Sequence, residues 1–118
     1  DAAVAQGVID VLLSAMPGAA VAVVDSAGEV VDWRGAAAEL FGWSAEEMLG
    51  EPMERMTPGT ELDQGRLWAH FAEARRKGSA DVTGPRLTRA GRTLEIACQT
   101  TWLAAQDVFV CVMRREAA

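Results

Sequence analysis

Residues 21–52 read VAVVDSAGEVVDWRGAAAELFGWSAEEMLGEP. Val21 to Asp25 alternates small and branched apolar residues, which is the signature of a strand. Ser26-Ala27-Gly28 supplies a turn, with Gly28 free to take the positive φ that a tight hairpin needs. Glu29 to Trp33 resumes as strand. Ala36, Ala37, Leu40 and Phe41 then recur at helical spacing, and Gly42 breaks the run. Ser44 followed by Glu47 has capping-box spacing and predicts a new helix starting at Ser44, which Gly50 ends. A hairpin therefore feeds straight into cramped one-turn helices.

Upstream, Val4, Val8, Val11, Leu12 and Ala15 form a helical stripe that stops at Pro17-Gly18. Its apolar face must pack on the outer face of a sheet or on a second copy of itself. Downstream, Pro52, Pro58 and Gly59 confine Met53 and Met56 to a single helical turn. Leu62 to Lys77 is helical, with Leu67, Phe71 and Ala74 as a stripe, Trp68 beside it and His70 close by; Gly78 stops it. Three strands follow. Ala80 to Thr88 contains Gly84-Pro85, which predicts a bulge or an edge position. Ala90-Gly91 turns the chain. Thr93 to Leu103 alternates strictly, with Leu94, Ile96, Cys98, Thr100 and Trp102 on one face. Ala104 to Asp107 turns again. Val108 to Met113 is apolar throughout, as in a strand covered on both faces. A turn centred on Ala104-Ala105 would make Cys98 and Cys111 cross-strand neighbours. Hairpins at both ends with helices between them predict an α+β class.

The chain has 118 residues, enough for one domain with one core. Half of its residues are apolar, which argues against disorder. The net charge of −6 argues against a nucleic-acid surface. The one basic cluster, Arg75-Arg76-Lys77, complements the dipole at a helix C-terminus. No apolar run reaches membrane-spanning length, and no secretion signal is visible. Two sparse cysteines outside any CxxC or Cys/His cluster imply no metal site and fit a reducing, cytoplasmic setting. Glu46-Glu47 reads as a helix first turn, and Asp25 and Asp32 as hairpin surface. With one histidine, no nucleophile elbow and no phosphate-binding glycine loop, the chain offers no catalytic set and is read as a non-enzyme.

Several of these pieces together resemble a PAS domain: Val24-Asp25-Ser26-Ala27-Gly28 with Val30 and Val31, Trp33, AAAELFG at 36–42, SAEEMLG at 44–50 followed by Glu51-Pro52, and Arg86 to Gly91 before the long strand. LFGWSAEEMLG is the most specific. The resemblance divides the chain into an N-terminal amphipathic helix, 1–17, and a PAS domain, 18–118. It implies a five-stranded antiparallel sheet in the order 2-1-5-4-3, helices on one face and a pocket between them. It also implies a place in a signalling protein whose effector (kinase, phosphatase, cyclase or transcription regulator) lies outside these residues. Two positions depart from the family pattern. Arg34 stands where an Asn commonly caps the next helix, and Ala90 where an Asp commonly precedes the glycine.

The cofactor is unknown from the residues. Flavin in the light-sensing branch of the family needs a cysteine on a helix between Asn and Arg, whereas Cys98 and Cys111 fall on strands. Haem needs an axial ligand, and His70 is the only histidine; the family's ligand position falls nearer Leu67, which argues against haem. A small organic ligand fits better. Leu40, Phe41, Met53, Met56, Leu67, His70 and Phe71 would close the helical side. Cys98, Thr100, Trp102, Phe109 and Cys111 would line the sheet, and Arg86 or Arg34 could pair with a ligand carboxylate. The expected function is a sensory input domain that binds such a ligand and relays its state. The alternative is a ligand-free dimerisation module, with a homodimer formed through the N-terminal helix.

Overall fold

The strand that opens the deciding stretch lies inside a sheet, hydrogen-bonded on both sides. The computed structural model describes residues 2–59 and 61–116, side chains at 2, 61 and 62 excepted. Strands β1 (Ala20–Asp25), β2 (Val30–Gly35), β3 (Ser79–Leu87), β4 (Thr93–Leu103) and β5 (Val108–Arg115) form one antiparallel sheet in the order β2-β1-β5-β4-β3. This is the expected order. Helices α1 (Ala2–Ser14), α2 (Ala37–Phe41), α3 (Ala45–Met48) and α4 (Glu61–Lys77), with a 3-10 turn at Met53–Met56, complete the chain. Positions 1, 60, 117 and 118 of the two expected segments lie outside the described residues.

The β1–β2 turn forms as its composition requires. Gly28 has φ +86. The Asp25 carboxylate accepts from the backbone N–H groups of Ala27 at 3.0 Å and Glu29 at 2.9 Å. Gly28 answers a second demand: a Cβ there would lie 2.5 Å from the Trp68 ring. The chain after α3 returns to this hairpin, where Gly50 N–H donates to the Val30 carbonyl and Met53 N–H to the Gly28 carbonyl. The capping box is complete, with Glu47 N–H to Ser44 Oγ at 3.2 Å and Ser44 N–H to Glu47 Oε1 at 3.1 Å. At α2 the cap is absent: Ala36 precedes the helix and offers no side-chain bond. Arg34 instead reaches Asp32 and Gln6.

One face of the sheet carries the core. Ala20, Ala22 and Val24 of β1, Ile96, Cys98 and Thr100 of β4, and Phe109, Cys111 and Met113 of β5 are buried against Phe41, Met48, Met53, Met56, Leu67 and Phe71. Small residues at Ala20, Ala22 and Ala37 let α2 sit close on β1. Apolar burial of this extent is the main force holding the two layers together.

Three expectations need correction, and one is met by the second of its two alternatives. β5 is covered fully on one face only, because Val108, Val110 and Val112 are half-buried on the other. β3 is an edge strand, one of the two outcomes expected of Gly84-Pro85, and its pairing with β4 runs unbroken; the register shift falls between Val23 and Val24. Cys98 and Cys111 are not opposed: Cys98 faces Met113 and Thr100 faces Cys111. The β4–β5 turn occupies 104–107, so its centre lies one position beyond an Ala104-Ala105 centre, which shifts the partner of Cys98 by two residues. Lastly, of the two surfaces expected to cover the α1 stripe, the sheet does not do so. Val8, Val11 and Leu12 are exposed, and the helix is held by Leu13 near Gly35 and by Arg34, which bonds Gln6 at 2.7 Å and lies 3.9 Å from Asp10.

Candidate functional site

The 3.6-residue period of α4 puts Leu67, His70, Phe71 and Ala74 on one face, and that face is buried against the sheet. The two-residue period of β4 brings Cys98 and Thr100 to meet it, with Trp102 half-buried beyond. From β5, Phe109 and Cys111 join them. An aromatic row runs through this layer. The rings of Phe71 and Phe109 are 4.9 Å apart, and those of Phe109 and Trp102 are 4.5 Å apart. Arg75 lies over the Trp102 ring at 4.8 Å. Such contacts add to the stabilisation that burial alone supplies.

Thr100 is the polar centre of this layer. Its Oγ1 lies 2.8 Å from His70 Nε2, 3.5 Å from Cys98 Sγ and 3.4 Å from Cys111 Sγ. The two thiols diverge in acidity. Hydrogen bonding from Cys111 pulls the Cys98 thiol down against the opposing effect of burial, and His70 and Thr100 assist. The same contact with Cys98, together with burial, pushes the Cys111 thiol well up. Both cysteines are free. Among the described residues no group of three His, Cys, Asp or Glu side chains is placed to hold a metal ion.

The remaining expected residues divide by place. Phe41, Met53 and Met56 are fully buried in the same core. Leu40 is half-buried and lines a surface depression with Arg92 and Leu94. Of the two arginines proposed for a carboxylate, Arg34 is taken by Asp32. Arg86 lies buried on the inner face of β3. Its Nη1 donates to the Pro85 carbonyl at 2.8 Å, while its Nε has no partner. His70 Nδ1 and Thr57 Oγ1 are also buried without partners.

Two features escaped the sequence reading. Thr57 sits in a loop whose prolines mask any periodicity, so nothing marked it as buried. Asp63 and Arg66 line a cleft of about 30 Å³ with Leu67, Val82, Gly84 and Arg86, at the seam between α4 and β3. Their spacing ahead of Leu67 and His70 on one helix was the available signal. A larger, open depression of about 500 Å³ lies over the outer surface at β3, β4 and β5, with Asp81, Thr83, Gln99 and Arg114 along it. Among the described residues no helix is long and apolar enough to cross a membrane.

Comparison with known proteins agrees with this geometry. The chain is similar to the PAS domain of a protein from Colwellia psychrerythraea (TM-score 0.76, 18% identity, 83% of this chain and 86% of that one). It is similar to the PAS domain, solved in complex with ethanol, of a LuxR-family transcriptional regulator from Burkholderia thailandensis (TM-score 0.74, 12% identity, 87% and 93%). It is also similar to a domain of a sensory box sensor histidine kinase/response regulator from Geobacter sulfurreducens (TM-score 0.70, 19% identity, 81% and 82%). No curated protein matches. The family model described as PAS fold matches residues 9–115, so the chain belongs to the PAS fold family.

Proposed function

We propose that this domain is a cytoplasmic sensory input module that binds a small organic ligand between α4 and the sheet and relays its state to an effector beyond these residues. One observation carries the reading: Arg86 Nε, His70 Nδ1 and Thr57 Oγ1 are buried without hydrogen-bond partners. Leaving such a group unsatisfied costs about 1–3 kcal/mol, and native proteins rarely leave several. A bound guest would supply the missing partners. The regulator from Burkholderia thailandensis, solved with ethanol, lends support from a relative of the same fold. The relay would run through the pairing of Ala20 with Met113, which sets the start of β1 beside the end of β5. A guest that favours one arrangement of these strands would change how both flanking segments leave the domain.

A second reading has its own support. Val8, Val11 and Leu12 are exposed on α1, and pairing with a second copy would cover them. This role is compatible with sensing. Native mass spectrometry of protein taken directly from cells tests both. A retained small molecule supports sensing, and a doubled mass supports the homodimer. A guest-free chain that no small organic molecule stabilises would overturn the sensing reading.

A further inference from the structure

We propose that the cleft between α4 and β3 takes small monocarboxylates, with Arg86 as their counter-charge; this rests on the sensing reading above and names the chemical class of the ligand. Arg86 is only 5% exposed, yet no ion pair among the described residues includes it. Arg34, Arg55 and Arg89 each have an acidic partner. A buried guanidinium outside any ion pair is costly, and its planar fork of donors matches a carboxylate. Nη1 is engaged by Pro85, and Nε is left to be satisfied.

The surroundings narrow the guest. The cleft beside Arg86 measures about 30 Å³. A cleft of that size admits a compact guest and excludes an extended molecule. Gly84 presents no side chain there; a Cβ would sit 3.7 Å from Arg86 Nη1 and cover the guanidinium. Arg66 and Asp63 line the same cleft with opposite charges. Counting Arg86, two arginines and one aspartate leave the lining a balance of a single positive charge. A monoanion fits that balance better than a dianion or a neutral molecule. Leu67 and Val82 offer apolar walls to a short alkyl tail.

The test is a titration of the isotope-labelled chain with sodium propionate, read at the Arg86 Nε–H resonance. Propionamide and sodium chloride at equal concentration are the controls. Propionate is expected to shift the resonance saturably while the controls leave it in place. Arg86→Gln is expected to weaken propionate binding about tenfold or more. If that variant does not fold, the wild-type resonance still decides. A resonance that propionate leaves unmoved, or that propionamide moves equally, overturns the proposal. A neutral guest retained by protein from cells would overturn the carboxylate class while leaving the sensing reading intact.

Discussion

His70 Nε2 lies 2.8 Å from Thr100 Oγ1 and so joins the long helix to the interior of the sheet. The same hydroxyl is the polar neighbour of both cysteines. Thr100→Val keeps the volume and removes this centre. It leaves His70 Nε2 buried beside a methyl group, at a cost of about 1–3 kcal/mol. Urea denaturation should show a lower midpoint with an unchanged slope; an unchanged midpoint would contradict the assignment.

The Ser44–Glu47 box gives an acid-sensitive contribution. Glu47 is held below the usual carboxylate range, first by the Ser44 N–H and then by Arg89. A carboxylate whose folded value is depressed stabilises the fold above its unfolded value, 4.5 here, and loses that contribution as pH falls through the lowered one. Glu47→Gln should therefore flatten the acid limb of the stability profile below that value. Ser44→Ala should cost about 1 kcal/mol at neutral pH, since it removes the cap of α3. A thermal melt series across pH distinguishes the two effects.

Gly28→Ala meets two separate obstacles, a left-handed backbone and the Trp68 ring. The backbone alone costs about 1–2 kcal/mol. Adding Trp68→Ala should relieve the clash but not the backbone strain, so the paired variants should be less than additive. Chemical denaturation of the four proteins in the cycle measures the difference.

Val8→Glu with Val11→Glu on α1 should separate a homodimer into monomers in light scattering. The thermal midpoint of the core should change little, because these side chains are exposed within one chain. A dimer that persists would place its interface elsewhere.

Local periods were legible and tertiary placement was not. The β1–β2 turn, the Ser44–Glu47 box and the inward set of β4 all follow from spacings of a few residues, and the structure has them. The sheet order came through resemblance, since pairing of β1 with β5 leaves no local trace. Arg34 and Arg86 read alike in sequence; only the fold pairs one with Asp32 and buries the other without an anion. The offset of Cys98 from Cys111 hung on one position in the centre of a turn. Trp43 went unremarked, yet its carbonyl accepts the Trp33 indole N–H at 2.9 Å inside the core.

The seating of β1 against β5 bears on how the protein comes into being. During synthesis β1 emerges early and can zip onto β2 at once, but its other side must wait for the last strand to leave the ribosome. Until then both β1 and β4 offer bare edges to any extended segment nearby. Closure over so long a loop slows folding, and the hazard of misassembly is concentrated in that interval.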